Sequence, residues 1–200
     1  MPVHQLFPTP VYQGDIGDAS LIADLAHSAR SLAAEDSAGR RWCRENGYPG
    51  YTSYASLNDL QIRDPAFALL AKRLAPHVRA FVEAAHMDLG GRKPRLDSLW
   101  VNILKSGGGH TGHIHPHSLI SGTVYVEVPP GAGALKIEDP RLQMMMAAPG
   151  RTPDAPAETR PFVYLEPAPG TVLLWESWLR HEVPQGRAKA ERISVSFNYA

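Results

Sequence analysis

Four of the nine histidines crowd into the stretch GGGHTGHIHPHSLISG, at His110, His113, His115 and His117, and a fifth, His181, stands far downstream in GTVLLWESWLRHEVP. Neutral imidazole is a ligand for zinc, copper, iron and nickel. His113 and His115 are two apart, so an extended strand would point both toward one face, where two imidazoles can approach a single ion. His181 can close a facial set of three, which leaves coordination positions open for exogenous ligands. A histidine-rich solvated loop that binds metal adventitiously is the competing reading of the cluster taken alone. Arg192 follows His181 by eleven residues and opens RISVSFNY, with Ser194 two further on.

These residues need a scaffold, and the apolar periodicity supplies one. Asp18 to Glu35 reads as a helix with Leu21, Ile22, Leu25, Ala29 and Leu32 on one face. A second helix follows Asp64-Pro65, a capping residue and first-turn proline, with Phe67, Leu70, Leu74, Val78, Phe81 and Ala85 as its stripe. Pro76 is expected to kink or split it. Between the two, Asp36 to Asn58 is rich in glycine and reads as a loop, with a short strand near Tyr51 to Ala55. From Leu96 onward the period switches to two, giving strands at Ser98–Leu104, Leu119–Val128, Ala134–Ile137, Phe162–Glu166, Thr171–Trp175 and Arg192–Tyr199. Gln143 to Pro161, with its methionines, prolines and alanines, is expected to be a long insertion. Helices first and strands later give a mainly β protein in an α+β layout: one domain over 1–200, with a helical support region (1–95) and a β core (96–200).

Two strands alternate in a way that bears on the site. Ser121, Thr123, Tyr125 and Glu127 oppose Ile120, Val124, Val126 and Val128, while Arg192, Ser194, Ser196 and Asn198 oppose Ile193, Val195, Phe197 and Tyr199. A polar face of this kind lines either a solvated sheet surface or a cavity inside a barrel. Histidines at both ends of the segment favour the cavity.

Composition narrows the partners. Twenty acidic and twenty basic residues leave no net charge, which offers nothing to nucleic acid or an anionic membrane. A single cysteine, Cys43, excludes an intramolecular disulfide and suits a reducing, cytoplasmic compartment. The opening MPVHQLFPTPVYQGDI lacks the features of a signal peptide, and no segment is apolar enough to span a membrane. Oligomeric state is open, a homodimer included.

The downstream half, PGTVLLWESWLRHEVPQG…ERISVSFNY, resembles the C-terminal signature of the iron(II)- and 2-oxoglutarate-dependent oxygenases. Together with the opening LFPTPVY and the central HIHPHSLISGTVYVEVPPGAGALKIEDPR, it is most similar to a subgroup of short bacterial and phage members of that superfamily. The resemblance implies a double-stranded β-helix (jelly roll), iron(II) as metal, and 2-oxoglutarate and O2 as cosubstrates. It implies oxidative decarboxylation to succinate and CO2, coupled to hydroxylation of a small molecule or a protein side chain. It assigns His181 as the distal metal ligand and Arg192 as the partner of the far cosubstrate carboxylate, with Ser194 beside it. Arg192 can supply a bidentate fork, and Tyr125 and Asn102 can add hydrogen bonds.

In one respect the chain departs from the superfamily pattern, which is His-x-Asp or His-x-Glu: His115 stands at the carboxylate position. His113, His115 and His181 can form a three-histidine site; His113 and His181 can ligate alone; or Glu127 or Asp139 can reach in. The His-x-His spacing favours the first. His110 and His117 are expected near the site, His110 being the better alternative ligand. Trp100, Trp175 and Trp178 are candidate pocket walls, and Gly107-Gly108-Gly109 a candidate lid hinge. The rival readings are a metal cupin acting without a 2-oxo acid, for which Arg192 has no task, and a non-catalytic metal- or carbohydrate-binding jelly roll.

Overall fold

The computed structural model of the chain describes residues 2–200. In order, its elements are β1 (Val11–Asp15), α1 (Ala19–Glu35), α2 (Ser37–Glu45), β2 (Gly50–Thr52), α3 (Pro65–Ala84), β3 (Leu96–Leu104), β4 (His110–His113), β5 (Ile120–Glu127), β6 (Leu135–Glu138), β7 (Phe162–Leu165), β8 (Thr171–Glu176), β9 (His181–Val183) and β10 (Arg192–Tyr199). A six-stranded sheet runs β1-β8-β5-β10-β3-β2 and a four-stranded sheet runs β4-β9-β6-β7. From β3 on, the chain passes repeatedly from one sheet to the other, and every paired strand is antiparallel. This is the winding of a double-stranded β-helix, the expected fold.

The larger sheet has two buried faces. On the outer one, Leu99, Val101 and Ile103 of β3, Val124 of β5, Val172 and Leu174 of β8 and Ile193, Val195 and Phe197 of β10 form one cluster with the helices. Leu21, Leu25 and Ala29 of α1 and Phe67, Leu70, Leu74, Val78 and Phe81 of α3 are their partners, which is why both helical stripes recur at threes and fours. On the inner face Leu104, Tyr125, Leu173 and Trp175 meet Leu135, Ile137 and Val183 from the smaller sheet.

The N-terminal half departs from the sequence reading in three places. Residues 37–45, expected as loop, form α2; the helix is short and polar, with Arg40, Arg41, Arg44 and Glu45 among its nine residues, and it buries only Gly39 and Cys43. The second helix is not split at Pro76: it runs unbroken from Pro65 to Ala84, with Leu74 and Val78 buried on either side of the proline. Burial of one continuous stripe outweighs the lost hydrogen bond. Finally, the support region supplies both edge strands of the larger sheet: β1, which was not expected, pairs with β8, and β2, overlapping the short strand expected near Tyr51, pairs with β3. The strands β1, β4 and β9 escaped notice because each is short and carries Gly, His or Pro neighbours instead of an alternating run. The stretch after β6 joins neither sheet and holds short 3-10 turns at Leu142–Met144 and Ala157–Thr159.

Asp36 ties this region together. Its carboxylate accepts from Gly39 N–H at 2.8 Å, capping α2, and from Tyr51 OH at 2.9 Å and Ser56 Oγ at 2.5 Å. Burial works to raise its pKa, but the hydrogen bonds from Gly39, Ser56 and Tyr51 outweigh it and hold the carboxyl below its ordinary value. Because the folded value is the lower one, this stabilisation is present above the ordinary carboxylate range and is lost as pH falls through the folded value. Asp36→Ala removes a cap, orphans the Tyr51 hydroxyl and leaves Ser56 Oγ only its bond to Ser53 O; it should cost about 3 kcal/mol in urea unfolding at neutral pH, with a smaller difference from wild type in strong acid.

Candidate metal centre and its cavity

His113 ends β4 and His181 begins β9, and the two stand directly opposite in register. His115 lies two residues past the end of β4, and its ring stacks on that of His113. Its backbone N–H is bonded to Ser177 O at 3.0 Å. One ligand atom from each of His113, His115 and His181 lies within 4.8 Å of the others. Ring centroids are 4.5 Å apart for His113–His181 and 5.1 Å for each of the other two pairs.

The hydrogen bonds behind the rings decide the tautomers. His113 Nδ1 faces Thr111 O at 2.7 Å, His181 Nδ1 faces Leu179 O at 2.9 Å, and His115 Nδ1 faces Asn198 Oδ1 at 2.8 Å. An oxygen acceptor needs a proton from its partner, so each Nδ1 carries hydrogen and each Nε2 keeps its lone pair for a metal. Asn198 is itself fixed, accepting from Ser121 Oγ at 2.8 Å and donating to Ser98 Oγ at 3.3 Å. Sequence reading placed Asn198 on the right strand face but had no signal for its partnership with His115. Trp100 stacks on the other side of His115 at 5.8 Å, and Trp175 sets an edge against His181 at 4.6 Å.

The polar strand faces line a cavity of about 60 Å³ that runs from these histidines past Trp100, Asn102, Thr123, Tyr125, Trp175, Ser194 and Ser196 to Arg192. Ser121, Thr123, Ser194, Arg192 and Asn198 are all buried, which excludes the solvated-sheet alternative. The Arg192 guanidinium sits 4.9 Å from the centre of the Tyr125 ring, a cation–π contact. No ion pair among the described residues involves Arg192. A roomier cleft of about 320 Å³ opens between residues 5–9 and the stretch after β6. It holds none of the histidines, so size does not mark the chemical centre.

The buried polar atoms that lack a hydrogen-bond partner are informative. They are His115 Nε2, Tyr125 OH, Trp175 Nε1, Arg192 Nε and Gln61 Oε1, and all but the last belong to residues lining this one cavity. Orphaned buried groups cost about 1–3 kcal/mol each, and their concentration in one place marks a ligand site. A lone pair at one end and donors elsewhere fit a cation beside an anion.

Other sequence candidates lie elsewhere. A register shift between Ile193 and Ser194 sets Glu127 opposite Ile193, where Arg30 of α1 takes its carboxylate at 2.8 Å, away from the cavity. Asp139 is held by Arg141 at 2.8 Å and is not part of the cluster. Asn102 lines the cavity, but its amide is engaged by Thr52 Oγ1 at 2.8 Å and Ser196 Oγ at 3.0 Å. His110 also lines it, with Nε2 hydrogen-bonded to the phenol of Tyr48, a partner the sequence did not suggest. His117 is outside, in a left-handed conformation at φ 72°. Trp178 is exposed and donates to Glu176 at 2.9 Å, so it is no wall of the site. In the glycine run, Gly107 sits in the left-handed region with open space about it, whereas a Cβ on Gly109 would come 2.5 Å from Val183 O, so that residue must be glycine for β4 to approach β9.

Burial, followed by the charges of the neighbouring histidines, depresses the imidazole pKa values, to about 3 for His110, about 4 for His115 and about 3 for His181. For His115 and His181 the hydrogen bonds to Asn198 and Leu179 work weakly in the opposite direction. Unfolded imidazoles bind protons near their ordinary value of 6.5. Below that pH the unfolded chain therefore holds more protons than the folded one, and stability falls as pH is lowered. Each imidazole kept neutral should contribute a slope of about 1.4 kcal/mol per pH unit. Urea midpoints of the metal-free protein should drop steeply between pH 6.5 and 4, and a flat profile there would contradict the burial described.

Comparison with known proteins agrees with this geometry. Residues 98–198 match the family model described as "Putative 2OG-Fe(II) oxygenase". No curated protein matches the chain. Among solved structures, a Pseudomonas putida prolyl-4-hydroxylase is 16% identical at a TM-score of 0.59, over 96% of this chain and 87% of its own. EctD from S. alaskensis is 18% identical at a TM-score of 0.66, over 96% and 73%. The epimerase SnoN, in complex with Fe3+, alpha ketoglutarate and nogalamycin RO, is 18% identical at 0.65, over 96% and 79%. At such identities these structures speak for the jelly-roll fold, while the family model spans half of the sequence and both ends of the cavity. The chain belongs to the 2OG-Fe(II) oxygenase family, and it is an enzyme whose cofactors are iron(II) and 2-oxoglutarate.

Proposed function

We propose that all 200 residues act as one catalytic unit in which His113, His115 and His181 hold iron(II) and Arg192, Tyr125 and Ser194 hold the far carboxylate of 2-oxoglutarate. The observation that carries this reading is the set of unpartnered buried atoms: the His115 Nε2 lone pair at one end of the cavity, and Tyr125 OH and Arg192 Nε–H toward the other. Three neutral imidazoles bring no negative charge to the metal, so an iron(II) held here keeps its full charge for an anionic chelator. No carboxylate competes for Arg192, and a dianion is the ligand that satisfies both ends. Asn102 acts at one remove, by holding the Ser196 hydroxyl.

When bound, iron(II) with 2-oxoglutarate and O2 supplies the oxidising chemistry, which yields succinate, CO2 and a hydroxylated C–H bond. The chain's own contribution is positional. Asn198, Thr111 and Leu179 fix three ring tautomers; burial keeps His115 and His181 unprotonated at neutral pH; and Trp100, Trp175 and Leu135 keep water from the cavity walls. The substrate that is hydroxylated is a small molecule or a protein side chain. The single buried cysteine supports a reducing, cytoplasmic setting, and no helix among the described residues is long and apolar enough to cross a membrane.

Anaerobic titration tests the assignment. Iron(II) plus 2-oxoglutarate should give the weak visible charge-transfer band of a chelated 2-oxo acid in wild type. His181→Ala should abolish it together with iron binding; unchanged iron affinity in that variant would remove His181 from the ligand set. If His115→Ala binds iron as wild type does, the site has two histidine ligands instead of three. Arg192→Ala should weaken 2-oxoglutarate binding by more than a hundredfold, about 3–5 kcal/mol, with iron affinity intact. Arg192→Lys should restore only part, since an ammonium cannot form the paired bonds. Asn198→Ala, which frees His115 Nδ1, should cost about 10- to 100-fold in metal affinity.

A further inference from the structure

Metal and far carboxylate account for three of the four unpartnered atoms in the cavity. The fourth, Trp175 Nε1, is left over. Trp175 is 3% exposed, lines the cavity and has no hydrogen-bond partner for its indole N–H. That group is a donor only, so it waits for an acceptor and has no use for a metal. A buried indole normally finds such a partner within the protein.

Register says which end of the cavity the donor serves. Trp175 of β8 stands opposite Ser121 of β5, and Ser121 stands opposite Asn198 of β10. Asn198 holds His115, and the Trp175 ring lies 4.6 Å from that of His181. The indole is thus in the same cross-sheet row as the histidine cluster. Arg192 is six residues along β10 on the same face and reaches the same cavity from the other end of that strand. The two donors therefore approach from opposite ends and do not share one acceptor. An anionic oxygen beside the metal is the acceptor that an N–H in this row meets.

We propose that Trp175 Nε1–H donates a hydrogen bond to a carboxylate oxygen at the metal-chelating end of the bound 2-oxo acid, so that the cosubstrate is held by a protein donor at each end. This rests on the cosubstrate reading above and adds a binding residue to it. The bond fixes the orientation of the chelating carboxylate, because the indole cannot turn within a packed row between Ser121, Val11 and His181. Pyruvate, which has the chelating end without the far carboxylate, should engage Trp175 while making no use of Arg192.

The test uses 15N-labelled, zinc-loaded full-length protein, which is diamagnetic. Of its four indole resonances, the one missing in Trp175→Phe belongs to Trp175. 2-Oxoglutarate should move that resonance downfield and leave that of the exposed Trp178 in place; pyruvate at higher concentration should do the same. By calorimetry, Trp175→Phe should bind 2-oxoglutarate about tenfold more weakly or worse, the loss of a charge-assisted bond, with metal affinity unchanged. If the variant does not fold, cross-relaxation between the indole and the His181 ring assigns the resonance, and the wild-type shift decides. Should 2-oxoglutarate bind wild type without moving the resonance, or bind Trp175→Phe equally well, the inference fails while the cosubstrate reading stands. Wild type that binds no 2-oxoglutarate at all ends both.

Discussion

Every central strand of the larger sheet is buried on both faces, and the faces make opposite demands. The outer face is apolar and needs only cover, which α1 and α3 provide. The inner face presents Ser121, Thr123, Tyr125, Arg192, Ser194 and Asn198, groups that cannot leave water without partners. Some satisfy one another, as Asn198 does with Ser98, Ser121 and His115. Those that cannot are gathered where an ion and an anion supply what is lacking. The fold closes a second sheet over polar residues, and the cost of doing so is what makes the interior a binding site.

Arg192 carries the sharpest form of this constraint. A guanidinium does not deprotonate to escape burial, as a lysine can, and a buried charge without a counter-charge costs several kcal/mol. The Tyr125 face relieves part of that. In the proposed assignment the rest is left to the far carboxylate of 2-oxoglutarate. At the other end, the three imidazoles hold their lone pairs toward one point because a backbone or amide oxygen occupies each Nδ1. Each end of the cavity is arranged from behind, by residues that never touch the ligand.

A substrate has to be oxidised near a metal without the protein itself reacting. Aromatic rings surround the site, and β4 approaches β9 closely at Gly109. A rigid scaffold suits a chemistry whose selectivity depends on which C–H bond lies nearest the metal.

The sequence alone determined the chemistry-bearing residues and the class of fold. Histidine spacing, the Arg-x-Ser pair and the switch of apolar period from threes and fours to twos survive translation into structure because each is a local property of the chain. Local pattern also found the cap at Asp64, whose side chain accepts from the backbone of its own helix. What it missed depends on partners far away in sequence. The helix α2 is short and carries few apolar residues to announce it, and Glu127 sits on the wrong face for its alternation because a bulge at Val126 in its own strand shifts the register. His115 is held in the cluster by Ser177 and Asn198, both far away in sequence. Which atoms are left without partners was beyond sequence altogether, since satisfaction of a hydrogen bond is decided only when strands 50 to 100 residues apart are laid side by side. The sequence said which chemistry was present; the tertiary structure decided where it is incomplete, and a ligand binds where the protein is incomplete.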